Sequence, residues 1–579
     1  MKNKGVAKRL AEYLKPNLLF LVLSFILAIV SVILTLYIPI LTGNAVDLII
    51  AKGRVDFAKI TPILITMGVC IAVCALAQWL MGLCNYRVAY KTVRDIRVKA
   101  MQKIQVLPLS YLDTQSHGEI MSRMITDVEQ ISDGLILGFS QFFSGLITII
   151  GTIGFMLSIN IKITLIVVLV TPLSFFVAAF IARRTFSMFK KQSEIRAQMT
   201  SLTEEMVGSQ KLVKAFGYEN RAQERFDKIN KDLKVCGIRA LFFSSLTNPC
   251  TRFVNSVVYT GVGIFGAMSV IGGAISVGQL SCFLSYANQY TKPFNEISGV
   301  VTELQSALAS ASRVFDLIDQ PAELPDAKNA KVLKDVNGSV KLKNVAFSYT
   351  ADKEFITDLN IDAKPGQTIA LVGPTGCGKT TIINLLMRFY DVDHGQIFIS
   401  GNEAYSVTRD SLRSAFGMVL QDTWLKTATV HENIAYGNPN ASREQVINAA
   451  KLAHAHSFIK RLPNGYDTVI SDDKSNISQG QKQLLCIARV MLTHPPMLIL
   501  DEATSSIDTR TEIRIQKAFL ELMKDRTSFI VAHRLSTIQN ADMILVMKDG
   551  HIIERGTHTS LLQKGGFYSE LYNSQFSVK

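Results

Sequence analysis

Six apolar runs in the first half of the chain constrain its fold more than any other feature. They lie at 18–41, 63–84, 135–157, 161–182, 246–271 and 277–301. Each is close to the roughly 20 residues that an α-helix needs to cross the hydrocarbon core of a bilayer. Because a backbone in lipid must satisfy its own hydrogen bonds, such runs form helices. We therefore predict an all-α transmembrane domain with six helices over residues 1–320, a multi-pass protein of the lipid bilayer.

The composition supports a membrane protein and argues against a nucleic-acid partner. Hydrophobic residues make up 48% of the chain, charged residues only 19%, and the mean hydropathy is +0.24. The net charge of +14 comes from Lys and Arg that cluster beside the apolar runs, not in patches interleaved with aromatic residues. The eight cysteines lack metal-type spacing, so we expect reduced thiols.

The charge of the loops predicts the orientation in the membrane. Loops of about 50 to 60 residues, rich in Lys and Arg, follow the second and fourth runs, whereas the other loops are short and poor in both. The positive-inside rule then places both long loops and both termini in the cytoplasm. We expect the membrane to be the plasma membrane. A signal peptide is disfavoured because the first run is too long for one.

Two features extend the helices beyond the lipid. The sixth run carries Lys292, Glu296 and Glu303, and its helical pattern continues to about Asp319, which predicts a helix of about 40 residues. The long loops also keep helical periodicity and break near their tips, at 108–118 and 215–220. We expect short transverse helices there that press on a cytoplasmic partner; solvated loops without a coupling role are the alternative.

A glycine-rich loop in the second half predicts a nucleotide site. The stretch GPTGCGKT, Gly373 to Thr380, follows the β-prone run Thr368 to Val372 and precedes a helical pattern. In this context backbone N–H groups cradle phosphates, Lys379 supplies positive charge, and the Thr380 hydroxyl can bind Mg²⁺.

Two further motifs belong to the same chemistry. The apolar strand Met497 to Leu500 ends in Asp501 and Glu502. Asp501 would hold Mg²⁺, directly or through water, and Glu502 would act as general base or orient the attacking water. Ile477 to Gln481 precedes a helix, whose N-terminus suits an anion, although by itself this pattern indicates only a capped helix.

The region around these motifs predicts an α/β domain. Residues 321–339 are polar and contain two prolines, which indicates a linker. Beyond them, over residues 340–579, β-type and helical runs alternate, as in a P-loop NTPase with a largely parallel sheet. The 121 residues between Lys379 and Asp501 exceed a minimal βαβ step, so we predict an inserted helical subdomain.

These residues resemble the ATP-binding cassette (ABC) exporters of the six-span half-transporter type, over essentially the whole chain. The matching motifs are the Walker A loop Gly373 to Thr380, the Q-loop Gln421 in VLQDTW, the signature Ile477 to Gln481, the Walker B strand Met497 to Glu502, the D-loop Ser505 to Asp508, the switch His533 in VAHRLST, and Tyr349 in AFSY, which would stack on adenine. The long loops match as well, through PLSYLDTQSHGEIMSRMITDVEQI and KLVKAFGYENRAQERF, whose tips are coupling helices in the family.

The resemblance implies roles residue by residue. Glu502 and His533 would be catalytic, and Mg²⁺ would be held by Thr380, Gln421 and Asp501. ATP would be bound in this chain by Tyr349, Gly373, Pro374, Thr375, Gly376, Cys377, Gly378, Lys379, Thr380, Thr381, Gln421 and Asp501. The ATP of a partner chain would be contacted by Ser478, Gly480 and Gln481.

The chain departs from the family pattern in three places. Its signature reads ISQGQ, with Gln479 in place of the first glycine of LSGGQ. The preceding segment Ser471 to Ser475 lacks the usual Gly-Glu and the later Gly. Cys377 stands in the phosphate loop where Ser is commoner, either as a reactive thiol or as a buried, inert substitute.

The resemblance also implies a second half-transporter chain, because the family holds each ATP between the Walker motifs of one cassette and the signature of the other. A homodimer would place Gln479 at both ATP sites, and a heterodimer at one. Since Glu502 and His533 are intact, the chain resembles the catalytically competent subunit of heterodimeric bacterial multidrug exporters. We therefore predict a heterodimer in preference to a homodimer.

The predicted function is ATP-driven efflux of hydrophobic or amphipathic small molecules of the multidrug type. A cationic substrate would find a counter-charge in Glu296 or Glu303. A lipid or peptide exporter of the same family is the first alternative. A membrane ATPase that regulates a partner without moving solute is the second.

Overall fold

The computed structural model describes residues 2–51, 54–170, 172–350, 354–421, 423–471, 477–501, 508–531 and 538–576. The chain divides into two compact units. The first comprises Met1–Val106 and Gln115–Pro321, and the second comprises Leu107–Thr114 and Ala322–Lys579.

The first unit is helical apart from a short hairpin of two strands, β1 (Ile49–Ala51) and β2 (Arg54–Val55). Two π-helical turns, Arg123–Asp127 and Gly138–Phe142, interrupt one of its long helical stretches. Its α-helices are α1 (Lys2–Leu14), α2 (Leu18–Asp47), α3 (Phe57–Gln105), α5 (His117–Ser122), α6 (Val128–Leu137), α7 (Phe143–Ile159), α8 (Ile161–Val170), α9 (Pro172–Gly208), α10 (Gln210–Ala215), α11 (Glu219–Ser245), α12 (Thr247–Ile271) and α13 (Val277–Ile318); α4 (Leu109–Thr114) belongs to the second unit.

Helices occupy all six predicted apolar runs, with residue 171 outside the described part of the fourth run. Among the described residues, four helical stretches are long and apolar enough to cross a membrane: Gly5–Asp47, Phe57–Gln105, His117–Ile159 and Glu219–Ile271. The predicted long sixth helix is confirmed, because α13 has 42 residues and is about 63 Å long. Its Ser276 begins the helix with a capping box to Gln279.

The first unit packs around two buried apolar clusters. One includes Leu36, Phe283 and Tyr286, and the Tyr286 hydroxyl donates to the Leu36 carbonyl at 2.6 Å. This hydrogen bond satisfies a buried phenol and a carbonyl of α2 together. Near the same ends of α2 and α13 the backbones touch, since a Cβ on Gly43 would lie 2.6 Å from the carbonyl oxygen of Gly278.

The second unit contains the predicted α/β domain. Its main sheet has the strand order β14-β13-β5-β12-β11-β8, in which β14 alone is antiparallel to its neighbour. An antiparallel sheet has the order β4-β3-β6-β7, and β9 pairs with β10. The strands are β3 (Val340–Phe347), β4 (Ile356–Ala363), β5 (Thr368–Val372), β6 (His394–Ile399), β7 (Asn402–Glu403), β8 (Phe416–Val419), β9 (Ala428–Thr429), β10 (Val469–Ile470), β11 (Met497–Asp501), β12 (Thr527–Val531), β13 (Met543–Lys548) and β14 (His551–Gly556).

The central strands are almost wholly buried, which explains their continuous apolar sequences. The helices of this domain are α14 (Lys379–Leu386), α15 (Arg409–Ser414), α16 (Val430–Ile434), α17 (Arg443–Leu452), α18 (His456–Ile459), α19 (Gln479–Thr493), α20 (Thr509–Met523), α21 (His558–Lys564) and α22 (Phe567–Phe576). Helices α16 to α19 lie between β8 and β11 in the chain, as the helical insertion predicts.

Candidate nucleotide-binding site

The phosphate loop leaves the carboxyl end of β5, a central strand of the main sheet. Strand β5 lies between β13 and β12, and β11 is the next strand beyond β12. Because these four strands are parallel, their carboxyl ends meet at one edge of the sheet. Residues from the loop, from β11 and from β12 therefore line one cleft of about 410 Å³.

Two glycines give the loop its shape. Gly376 and Gly378 have φ values of +82° and +106°, in the left-handed region that side chains rarely adopt. Gly378 is also the N-cap of α14. The helix N-terminus and its backbone N–H groups therefore face the cleft, where they can receive phosphate oxygens.

The side chain of Lys379 lies over the loop. Its Nζ donates to the carbonyl oxygens of Gly373 at 2.8 Å and Pro374 at 2.9 Å. The residue is only 8% exposed, yet it lines the cleft. A buried ammonium satisfied by loop carbonyls is thus held at the place where the phosphates would enter.

Three oxygen-bearing side chains predicted to hold Mg²⁺ line this same cleft. Thr380 offers a hydroxyl, Gln421 an amide oxygen and Asp501, the last residue of β11, a carboxylate. Hydroxyl, amide and carboxylate oxygens are the ligands that Mg²⁺ prefers. The residues present therefore fit a magnesium-nucleotide complex.

The remaining cleft residues include two that sequence reasoning missed. Thr375 and Thr381 were predicted as ATP-binding residues, whereas Phe355 and Val531 were not. The available signal was positional: Val531, the first residue of VAHRLST, ends the apolar strand β12, and Phe355 directly precedes β4.

Tyr349 lies beside the cleft residues without lining the cleft. Its hydroxyl is 2.9 Å from the Thr381 Oγ1, and its ring packs edge-on against Phe347 and Tyr390, with centroid distances of 4.8 Å and 5.3 Å. The residue is 50% exposed. Its ring is thus held by neighbours on one side while half of its surface stays accessible to a base.

The side chain of Cys377 is buried, although the residue belongs to the phosphate loop. The residue is 4% exposed, belongs to the apolar cluster beneath the sheet, and its carbonyl accepts a hydrogen bond from the Gly550 N–H. It does not line the cleft. Of the two interpretations of this residue, the structure favours the inert substitute.

The signature lies away from the cleft, at the N-terminus of α19. Ser478 is an exposed N-cap, and it forms a capping box with Gln481. Gly480 is buried within the first turn. The departure from the family pattern has its own partner, because Gln479 Nε2 donates to Thr423 Oγ1 at 3.0 Å. Gln479 thus connects the signature to the segment that follows Gln421.

Some predicted residues lie outside the described part of the chain. They are Glu502, Ser505, His533, Asp422 and residues 472–475 of the segment before the signature. The D-loop end is described: Asp508 caps α20 and accepts from the Thr511 N–H at 2.9 Å. Hydrogen bonds from Thr511 lower the pKa of Asp508.

The first predicted coupling helix forms part of the second unit. Helix α4 lies at the predicted break in the first of the two long loops. The Tyr390 hydroxyl donates to the Asp113 carboxylate at 2.6 Å. Burial and the adjacent carboxylate raise the pKa of Tyr390, so the phenol stays protonated and keeps donating.

Comparison with known proteins gives the same assignment as this geometry. Residues 21–294 match the ABC transporter transmembrane region, and residues 356–505 match the ABC transporter domain. A fatty acid ABC transporter ATP-binding/permease protein of Mycobacterium tuberculosis is 42% identical over 517 residues, which are 89% of this chain and 82% of that protein. The chain belongs to the ABC transporter family.

Two further relatives show that this ABC transporter is of the exporter type. A Bacillus subtilis protein with a provisional multidrug export name is 37% identical over 588 residues, and the match covers 99% of each chain. The structure of a bacterial Atm1-family ABC exporter with ATP bound superimposes with a TM-score of 0.77 at 29% identity, covering 98% of this chain and 99% of that one. This ABC transporter is therefore a half-transporter that fuses a helical transmembrane domain to an ATP-hydrolysing domain, works in a lipid bilayer and dimerises.

Proposed function

We propose that the chain is one half of a dimeric exporter that uses ATP to move amphipathic compounds out through the bacterial plasma membrane. The observation that carries this proposal is the separation of the two halves of the nucleotide site. Residues of both Walker motifs line one cleft, whereas the signature at the start of α19, in which Ser478 and Gln479 are exposed, contributes nothing to it among the described residues. A second cassette would complete the cleft and receive this signature.

Within that site the roles follow from the chemistry of the side chains. Lys379 and the N-terminus of α14 would hold the phosphates, and Thr380, Gln421 and Asp501 would hold Mg²⁺. The bound cation supplies charge stabilisation to the transferring phosphoryl group. Glu502 would act as general base and His533 as the switch residue, both by their positions in the family motifs.

The proposed domain organisation keeps the transmembrane domain at 1–320, the linker at 321–339 and the cassette at 340–579. Both termini and both long loops would be cytoplasmic, as the loop charges indicate. Closure of two cassettes around ATP would act on the membrane helices through the loop tips, of which α4 is the described example in contact with Tyr390.

The proposed partner is a different half-transporter. Gln479 replaces a small residue at the signature, and its side chain is exposed and bonded to Thr423. In a heterodimer this larger side chain would affect only the partner's ATP site, and the site with Glu502 would use the partner's signature. A purified single chain that hydrolyses ATP and transports at full rate would contradict the heterodimer.

The substrate proposal is supported by two relatives, one named for fatty acids and one for multidrug export. Of the two, the fatty acid name describes a compound with an apolar chain and a polar headgroup. A lipid exporter therefore stays the second candidate.

The decisive experiment measures ATP-dependent accumulation of a fluorescent amphiphile in inside-out vesicles. Vesicles contain the chain alone, the chain with a candidate second half-transporter from the same organism, or the Glu502→Gln variant with that candidate. Accumulation that requires the partner and ATP and fails in Glu502→Gln supports the proposal. Equal accumulation in all three preparations would refute it.

A further inference from the structure

The first unit encloses a cavity, and the side chains that line it bear on which compounds it can bind. It has a volume of about 510 Å³, within the range of small-molecule sites. Residues of α2, α3, α7, α13 and the π-helical turn Gly138–Phe142 line it. All of them belong to predicted membrane-spanning runs, so the cavity lies where an exported compound would cross.

The wall combines apolar surface with many polar side chains. Eight of its fourteen residues carry a hydroxyl or amide group, among them Ser31, Thr35, Gln78 and Gln141. Because hydroxyl and amide groups can hydrogen-bond to a bound molecule, the wall suits a ligand that brings a polar group. The apolar patch that Val32, Leu36 and Met81 add would receive an alkyl chain.

The only ionisable residue on the described wall is Lys292. It is exposed, it precedes Pro293 in α13, and no ion pair joins it to another described side chain. An ionisable side chain within a membrane span indicates a substrate path or a ligand-binding site, because burying an unpaired charge in lipid is costly.

The carboxylates that would favour a cation are not on this wall. Glu303 accepts a hydrogen bond from Gln130 and does not line the cavity. The side chain of Glu296 lies outside the described residues. The counter-charge that the sequence predicted for a cationic substrate is therefore not observed in the described wall, and the observed charge has the opposite sign.

We propose that this cavity binds amphiphiles with an anionic headgroup, a carboxylate or a phosphate, which pairs with the Lys292 ammonium. The hydroxyl and amide groups around it satisfy the remaining headgroup oxygens, and the alkyl chain lies against Val32, Leu36 and Met81. This inference rests on the proposed export function for its biological meaning, but the binding itself needs no ATP.

The test is photo-crosslinking of the full chain in phosphatidylcholine nanodiscs, without nucleotide, using a hexadecanoate that carries a diazirine near its carboxylate. Peptide mass spectrometry locates the label. Competitors are hexadecanoate, hexadecyl phosphate and hexadecyltrimethylammonium, which share one chain length. We expect labelling of α3, α7 or α13, displaced by one or both anions at concentrations about 10-fold below those needed for the cation.

Variants separate the charge from general effects. Lys292→Gln should reduce labelling about 10-fold, Lys292→Arg should retain it, and Lys292→Glu should reverse the order of the competitors. Lys162→Gln, which removes a lysine that does not line the cavity, is the matched control and should label like the natural chain. Glu296→Gln tests whether the Glu296 carboxylate pairs with the Lys292 ammonium. If it does, its removal frees the ammonium for the anionic probe, and labelling rises.

The outcomes distinguish this inference from the proposed function. Displacement by phosphate alone or by carboxylate alone identifies the headgroup and supports the site. Equal displacement by anions and cation, or labelling unchanged in Lys292→Gln, overturns the inference even where vesicle transport succeeds. Charge-selective labelling in a protein that accumulates no amphiphile in vesicles would leave the site standing and remove the export proposal.

Discussion

Replacing Gly378 with alanine should weaken ATP binding about 5- to 30-fold. Gly378 has φ +106°, and a left-handed backbone costs an L-residue roughly 1–2 kcal/mol. The added Cβ would lie 3.3 Å from the Met547 Cε, a flexible side-chain end that can move aside. The backbone cost therefore dominates. If the loop relaxes to remove this strain, its N–H donors leave the phosphates, and the same 1–2 kcal/mol appears as lost affinity.

The matched control is Gly366→Ala. Gly366 has φ +71° and lies before β5, a Cβ there would meet nothing within 4 Å, and the residue does not line the cleft. Both variants should lower the thermal unfolding midpoint, but only Gly378→Ala should lower the affinity for a fluorescent ATP analogue, measured by titration of the purified chain. Natural affinity in Gly378→Ala, or an equal loss in Gly366→Ala, would refute the reasoning.

Three further outcomes are expected. Glu502→Gln should keep ATP binding and reduce turnover of the dimer by about 10² to 10⁴, the range for a general base; a rate within threefold of natural would contradict that role. Iodoacetamide should modify the partly exposed Cys486 well before the buried Cys377, as followed by peptide mass spectrometry, and equal rates would show that the loop opens. Asp113→Asn should weaken the bond from Tyr390 by about 1 kcal/mol, leave basal ATPase unchanged and reduce its stimulation by a transported amphiphile two- to fivefold; unchanged stimulation would argue against coupling through α4.

Much of the fold was readable from local sequence alone. Apolar runs of membrane-spanning length can form only helices in lipid, and the structure has helices at each of them. The loop Gly373 to Thr380 and the strand before Asp501 were equally readable, because each motif places its residues within a few positions of a strand or helix end. The length of α13 followed from the same helical periodicity.

The details that depend on residues distant in the chain required the tertiary structure. Sequence leaves open whether Cys377 is a reactive thiol or a buried, inert substitute, and its burial in an apolar cluster favours the inert substitute. Likewise, Phe355 and Val531 reach the cleft only because strands from different parts of the chain end at one edge.

The cavity in the first unit shows the same division most clearly. The sequence by itself predicted that Lys292, Glu296 and Glu303 lie on one long helix, and α13 contains all three positions. Only the packing of α2, α3, α7 and α13 placed Lys292 on the wall of a cavity, and only the packing of α6 against α13 paired Glu303 with Gln130. The physical reason is that helix formation follows from neighbouring residues, whereas the charge that a bound molecule meets follows from which helix faces pack together.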